Sequence, residues 1–481
     1  MAMDRLRVEH GVVVGDDGNP VFMRGVNVGG WFNLEHIING HPGSESNLRR
    51  VMVATLGQRR ADFFFDRLET YWFTDDDAGF LAAHGLNVVR LPINYRHLER
   101  DDAPGQFLDS GFASLDRALD LCERHGLYVI LDLHSVQGWQ NGDWHCDNSS
   151  RHALFWQHTS FQDRLVSLWR EIAARYANRP VVAAYDLMNE PLSNAPFGRF
   201  EPDDRYQPAW PLMNRVYRRL VAAIREVDRT RIIVLEGDYY STQFSGLEAP
   251  FDAHLLYSSH NYIPVATSPI SSYPTDIDGT LWNRAAVVRQ LDESEGRRFS
   301  RAHRVPLLIG EFGVAVHDAN EETVYKPAVL ADQLEAFNGL GCHWTLWTYK
   351  GIGPLAWVHF ADSRYAAAIA PVLRAKAELG VDLGWLGGFP TEVDSHLTAV
   401  SDRILDHVPG LDRLTNFRYF SQAAMSTYTA DQLQRVFAGQ FEDKSEAEID
   451  DILSSVTFAN CQVRTGMSET LRRAAAKDVA P

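Results

Sequence analysis

Cysteine is scarce. The 481-residue chain has 4, at Cys122, Cys146, Cys342 and Cys461, and no two of them form a C-x-x-C pair. Such spacing argues against a disulfide framework or a zinc knuckle and reads as reduced, mostly buried thiols in a reducing compartment. Long apolar runs are missing as well. No stretch reaches the roughly 18 residues a membrane span needs, and Asp4, Arg5 and Arg7 stand where a secretory signal would be apolar. The expected location is cytoplasmic. Positive charge is in short supply: 46 Lys and Arg against 63 Asp and Glu leave a net charge of −17. A field of that sign repels phosphate backbones and anionic lipid, so nucleic acid and membrane surfaces are not expected partners. No G-x-G-x-x-G follows the first predicted strand and no P-loop occurs, which removes the usual signs of nucleotide binding.

What is present looks like an ordinary folded protein, 45% hydrophobic and 23% charged, without repeats or low-complexity tracts. From about residue 20 to 375, short β-rich runs alternate with amphipathic stretches. Strands are predicted at Val21–Val26, Leu86–Leu91, Leu127–Leu133, Val181–Leu187, Arg231–Leu235, Leu255–Ser259, Pro306–Ile309 and His343–Trp347. Helices are predicted at Phe112–Arg124, Phe161–Tyr176, Leu212–Val227, Trp282–Phe299 and Pro327–Leu340. Eight strands with crossover helices predict an α/β fold, a closed (β/α)8 TIM barrel over 1–378, with a doubly wound open sheet as the rival. The long connections 27–76, 135–160 and 262–281 would all rise from the C-terminal face of that barrel, where chemistry is built. Beyond a Gly-rich stretch at Gly380–Pro390, helices are predicted at Glu392–His407, Phe417–Met425, Ala430–Phe441 and Glu446–Leu453, with a frayed tail from Arg472 to Pro481. Residues 379–481 thus read as a helical C-terminal extension or a contact for a second copy of the chain, rather than a separate sugar-binding module.

Two predicted strands deliver acids at their ends. One runs Val181-Val-Ala-Ala-Tyr-Asp-Leu-Met into Asn189-Glu190-Pro191, and another runs Pro306-Leu-Leu-Ile-Gly into Glu311-Phe312-Gly313. A barrel would bring both carboxylates to one mouth, the minimum apparatus for glycoside hydrolysis: one carboxyl protonates the leaving oxygen and the other stabilises or attacks the anomeric carbon. A capping or ion-pairing role would suffice for either glutamate alone. Arg90, His134, His260, Tyr262 and Trp347 also fall at predicted strand ends, and cationic or hydrogen-bonding neighbours hold one carboxylate ionised while a drier setting raises the other. Asp132 and His134, with His145, Cys146 and His260, could instead begin a metal site. However, no H-x-H or H-E-x-x-H is present. A non-catalytic carbohydrate-binding barrel would keep the aromatic residues but could dispense with one carboxylate.

The motifs Arg24-Gly-Val-Asn-Val-Gly-Gly-Trp31, Asn87-Val-Val-Arg-Leu-Pro-Ile93, Leu131-Asp-Leu-His134, Leu187-Met-Asn-Glu-Pro191, Ser259-His-Asn-Tyr262, Ile309-Gly-Glu-Phe-Gly313 and Trp344-Thr-Leu-Trp-Thr-Tyr349 occur in order. With them the sequence resembles glycoside hydrolase family 5, retaining β-glycosidases on a (β/α)8 barrel. That resemblance implies Glu190 as general acid/base, Glu311 as nucleophile and no cofactor or metal. It also implies Arg90 and Tyr262 as supports of the nucleophile, Asn189 on the sugar 2-hydroxyl, His134 and His260 lining the site, and Trp347 flooring the subsite of the cleaved sugar.

The opening motif continues Gly29-Gly-Trp-Phe-Asn-Leu-Glu35, similar to the exo-β-1,3-glucanase branch, which implies Glu35 as a ligand of the terminal sugar. The loop Gln137-Gly-Trp-Gln-Asn-Gly-Asp-Trp-His-Cys-Asp-Asn148 resembles that branch too, with Trp139 and Trp144 as platforms and Asn141 as a hydroxyl ligand. The WTLWTYKG run and the C-terminal extension depart from it toward branches that include exo-β-mannosidases. The expected activity is therefore removal of a terminal β-linked glucose or mannose from short oligosaccharides or glycosides, with endo-acting β-glucanase or mannanase as the alternative.

Overall fold

The computed structural model describes residues 3–194, 206–382 and 388–477. Eight parallel strands close into a barrel: β1 (Arg24–Asn27), β2 (Val88–Asn94), β3 (Tyr128–Ser135), β4 (Val182–Asp186), β5 (Ile232–Glu236), β6 (Leu255–His260), β7 (Leu307–Glu311) and β8 (His343–Leu346), with β8 paired back onto β1. The expected TIM barrel is what forms, and the open-sheet rival falls on that closure. Gly25 in β1 is required by close approach, since a Cβ there would lie 1.7 Å from the carbonyl oxygen of Val88.

Alternation along each strand sorts the barrel interior into two layers. The lower inward positions are apolar: Met23, Val88, Ile130, Ala184, Ile232, Val234, Leu256 and Leu308 form one buried cluster. An antiparallel hairpin, Arg7–Glu9 with Val12–Val14, adds Val8 and Val13 to the same cluster and stops the lower end of the barrel. Two residues further along, the inward positions carry Arg90, Asp132, Asp186 and Glu236, and His260 joins this layer from the end of β6. In β7 a register irregularity between Ile309 and Glu311 turns the glutamate into this upper layer.

Around the barrel lie α1 (Glu45–Leu56), α2 (Gln58–Trp72), α3 (Asp75–Ala83), α4 (Asp109–Arg124), α5 (Thr159–Tyr176), α6 (Trp210–Arg225), α7 (Arg284–Asp292), α8 (Glu295–His303) and α9 (Lys326–Gly339). The single helix expected over Trp282–Phe299 is two, because Ser294 accepts from the Arg297 N–H and starts α8 afresh. The long connection after β1 holds α1 and α2 rather than irregular chain.

Past α10 (Ala370–Leu379) come α11 (Thr391–His407), α12 (Arg413–Ser421), a wide helical turn at Gln422–Thr429, α13 (Ala430–Gly439), α14 (Glu446–Ser454) and α15 (Thr465–Ala475). The helix expected to run through Phe417–Met425 changes to this wider winding after Ser421. Arg472–Ala475, expected to be frayed, completes α15 with Leu471 and Ala474 buried. Residues 383–387 of the Gly-rich stretch and 478–481 of the tail lie outside the described residues. These helices share the apolar core of the barrel helices: Phe437 and Phe441 meet Phe64 of α2 edge-on, and Ile449, Leu453, Met467 and Leu471 belong to the same cluster.

Candidate active site

Arg90 stands at the centre of the upper layer with no exposed surface. Its guanidinium reaches Asp186 at 2.9 Å, Asp132, Glu236 and Glu311 at 3.1 Å, the Asn189 side chain at 2.9 Å and Asn27 at 3.1 Å. Burial works against its charge, but those four carboxylates hold the guanidinium firmly protonated. Burial in turn raises Asp132 and Asp186 well above the usual carboxylate range, since one cation cannot compensate all four acids.

Glu190 and Glu311 face one another above this base. A carboxylate oxygen of each, together with a ring nitrogen of His260, lies within 4.8 Å of the other two. Glu311 accepts from Arg90 on Oε1 and from the Tyr262 hydroxyl on Oε2 at 3.0 Å. Burial and the adjacent Glu311 push the Tyr262 phenol well above its ordinary value, so it keeps its proton and donates it.

Glu190 sits four residues past the end of β4 with a left-handed backbone, φ 46°, a rarity for a residue with a side chain. Its N–H donates to Glu236 Oε2 at 2.7 Å, and its carboxylate lies 2.7 Å from His260 Nδ1 and 3.1 Å from His145 Nε2. Burial would raise this carboxyl, but the two imidazoles outweigh it and hold it ionised, well below the usual range. Reciprocally, burial opposes charge on His145, yet the Glu190 carboxylate pushes its pKa up to about 9. His260 also rises despite burial, driven by Glu311, Glu236 and Glu190.

The remaining expected residues divide between the cavity and its supports. A cavity of about 310 Å³ is lined by Glu35, His134, Trp144, His145, Glu190, His260, Tyr262, Glu311, Trp347 and neighbours. His134 stacks flat on Trp347, ring centroids 5.3 Å apart, and bridges Asp132 at 2.7 Å to Glu35 at 3.3 Å. Burial raises the Glu35 carboxyl. Asn189, Asn141 and Trp139 do not line the cavity. Asn189 bonds Arg90 and approaches His134 at 3.3 Å, Asn141 donates to the Glu190 carbonyl at 2.9 Å, and the Trp139 indole donates to the Asp147 carbonyl at 2.9 Å. The alternative metal set does not assemble: the Cys146 thiol is turned into Asn141 and Asp143, and Asp132 is bonded to His134. Among the described residues only Glu190, His260 and Glu311 come close enough to share an ion, and their atoms are already engaged by His145, Tyr262 and Arg90.

Glu236 and His145 belong to this site without a role in the sugar chemistry expected from the sequence. Glu236 ends β5 at the same rim, one position beyond a predicted strand, so its place was visible even without a motif around it. His145 stands in a loop without a periodic signal, where its sequence neighbours suggest only a metal ligand.

A family model described as Cellulase (glycosyl hydrolase family 5) matches residues 56–352. A beta-xylosidase of Phanerodontia chrysosporium is 34% identical over 98% of this chain and 98% of its own. A probable glucan 1,3-beta-glucosidase A of Aspergillus fumigatus is 29% identical over 62% of this chain and 67% of its own. An endogalactoceramidase crystal structure superposes with a TM-score of 0.51 at 21% identity, covering 73% of this chain and 75% of that one, a likeness of fold.

Proposed function

Because the chain belongs to glycosyl hydrolase family 5 and is a glycoside hydrolase, we propose that it is a retaining β-glycosidase that removes one terminal sugar by double displacement. The observation that carries this reading is the approach of the Glu190 and Glu311 carboxylates within 4.8 Å. Inverting enzymes need about 6.5–9.5 Å between the two acids to seat a water, whereas a gap of about 5 Å suits direct attack. In the first step Glu311 attacks the anomeric carbon while a proton passes through Glu190 to the leaving oxygen. In the second, Glu190 takes a proton from water, which displaces Glu311 and restores the original stereochemistry.

His145 and His260 flank Glu190 within hydrogen-bonding distance and can exchange the proton of the first step with its carboxyl. Arg90 and Tyr262 hold Glu311 in place for attack. Trp347 offers a flat face to the sugar ring, and Glu35 with His134 offers hydrogen bonds to its hydroxyls.

A cavity of about 310 Å³ is at the small end of ligand sites, roughly 300–1,000 Å³, and favours a short substrate over a polymer lying in a cleft. Glucose and mannose differ only at the 2-hydroxyl, so either fits the same machinery. The name of the beta-xylosidase relative adds xylose, which lacks the hydroxymethyl arm, as a third candidate. The test is hydrolysis of aryl β-glucoside, β-mannoside and β-xyloside side by side, followed by trapping with the matching 2-fluoro sugar. Release of one sugar with retention and a covalent label on Glu311 is expected. An inverted product or a label on another residue would overturn the mechanism, and release of internal fragments from oligosaccharides would overturn the exo mode.

A further inference from the structure

The cavity that holds Glu190 and Glu311 is not walled by barrel loops alone. Gln422, the first residue of the wide turn after α12, lines it too and is only 8% exposed. We propose that the C-terminal segment forms one wall of the sugar pocket and that the Gln422 carboxamide hydrogen-bonds the hydroxyls of the terminal sugar at the Glu35 end. This rests on the glycosidase reading above and sharpens it by naming a residue that selects the sugar.

The Glu35 end is indicated by where the segment is anchored. Asp382 pairs with His36 at 2.6 Å and with Lys376 at 2.8 Å, and the Lys376 ammonium donates to the carbonyls of His36, Gly40 and His41. His36 follows Glu35 directly and meets Trp144 edge-on, ring centroids 3.9 Å apart, while Ile37 and Trp144 both line the cavity. Ser426, one turn past Gln422, donates to the Val381 carbonyl at 3.2 Å. Further along, the Gln434 amide donates to the carbonyls of Pro42 and Ser44 at 2.9 Å. The segment therefore grips the β1 loop on both sides of Gln422, and its position is fixed by buried polar contacts rather than by surface packing.

The residue type suits the task. A carboxamide donates and accepts at once, as a sugar hydroxyl does, and so can bridge neighbouring hydroxyls in one orientation. It also adds no charge beside Glu35, Glu190 and Glu311, whereas a further carboxylate would add like charge to a pocket that already holds three acids.

The experiment compares wild type, Gln422→Ala and the isosteric Gln422→Glu on aryl β-glycosides of the preferred sugar and on its 3-, 4- and 6-deoxy analogues. The expected loss in kcat/KM for Gln422→Ala is about 3- to 10-fold on the full sugar, mostly through KM. It should vanish on the one deoxy analogue that lacks the contacted hydroxyl. Gln422→Glu preserves side-chain volume and is expected to lose at least as much, so that a packing defect in the alanine variant can be told from a lost contact. If an active wild type and both variants share the same kcat/KM on every analogue, the Gln422 contact is wrong and the glycosidase reading stands. If the wild type releases no sugar from any aryl β-glycoside, the reading and this inference fall together.

Discussion

The carboxylate of Glu236 holds the backbone of Glu190: its Oε2 accepts the Glu190 N–H at 2.7 Å, at a residue whose φ is 46°. A side chain that adopts the left-handed region carries strain of about 1–3 kcal/mol, and it persists where the surroundings over-determine it. Glu236 is well placed to do this, because Arg90, Ser241 and His260 also converge on its carboxylate. Glu236→Gln keeps an acceptor for the Glu190 N–H but loses the charge that helps to keep His260 protonated, whereas Glu236→Ala loses both. Steady-state kinetics should therefore rank wild type above the glutamine variant and that above the alanine variant. Losses of about 10-fold and 100-fold or more in kcat are expected, with KM little changed. Equal losses in both variants would show that the hydrogen bond to Glu190 does not matter.

His145 should set the alkaline side of the pH profile. Its ring lies 3.1 Å from Glu190, and its pKa is pushed up to about 9 against the effect of burial. Below that pH the ring carries a proton that Glu190 can relay to the leaving oxygen, and above it one of the two proton stores is empty. Removing the ring also removes a donor that holds Glu190 ionised, so the Glu190 carboxyl should move up toward the ordinary range. For His145→Ala the alkaline limb of kcat/KM is expected to shift toward lower pH by about one unit. The loss should be large on glycosides with poor leaving groups and small on dinitrophenyl glycosides, which need no proton. A profile identical to wild type would remove His145 from the proton path.

Much of this was legible in the sequence because each barrel strand is a short apolar run ending in a chemically marked residue. Arg90, His134, Glu190, His260 and Glu311 could be placed at one rim by the end of a strand alone. What the sequence did not reveal depends on chain paths rather than on periodicity. Glu236 has no motif around it, and His145 is carried to Glu190 by a loop folded on side-chain bonds such as Asn148 to the Asn141 carbonyl. Trp139 was expected to be a platform, but the turn at Gly138 and the bond to Asp147 face its indole elsewhere. Gln422 reaches the cavity only because helices more than 350 residues from β1 pack back on its loop, as the 387-residue separation of Asn47 and Gln434 illustrates.

Arg90→Lys should be far from conservative. A planar guanidinium satisfies Asp186, Glu236, Glu311, Asn27 and Asn189 from several directions at once, and an ammonium on a flexible stem cannot. Leaving buried acids unpaired costs about 3–5 kcal/mol. Urea denaturation is expected to show a loss of that order with an unchanged slope, alongside a fall in kcat/KM of about 100-fold or more. A lysine variant as stable and active as wild type would mean that the upper layer tolerates its excess negative charge by protonation alone.

Stability should fall in acid partly through His343 at the start of β8. The ring is buried, and its Nδ1 accepts the Met23 N–H at 3.0 Å, a bond that protonation of that nitrogen would abolish. Burial, with nearby Arg24 adding repulsion, lowers its pKa to about 4 from an ordinary 6.5. The sign follows from linkage: between those values the unfolded chain binds a proton that the folded chain refuses, so each pH unit of acidification favours unfolding by about 1.4 kcal/mol. From pH 6.5 to 4 the total from this residue approaches about 3 kcal/mol, while above 6.5 it contributes no pH dependence. Gln at this position retains an acceptor for Met23 without a titrating ring. His343→Gln should therefore lose less stability than wild type between pH 6.5 and 4, measured as the difference in unfolding free energy at the two pH values. Parallel losses in the two proteins would place the acid sensitivity elsewhere, with His41, buried and lowered to about 3, next in line.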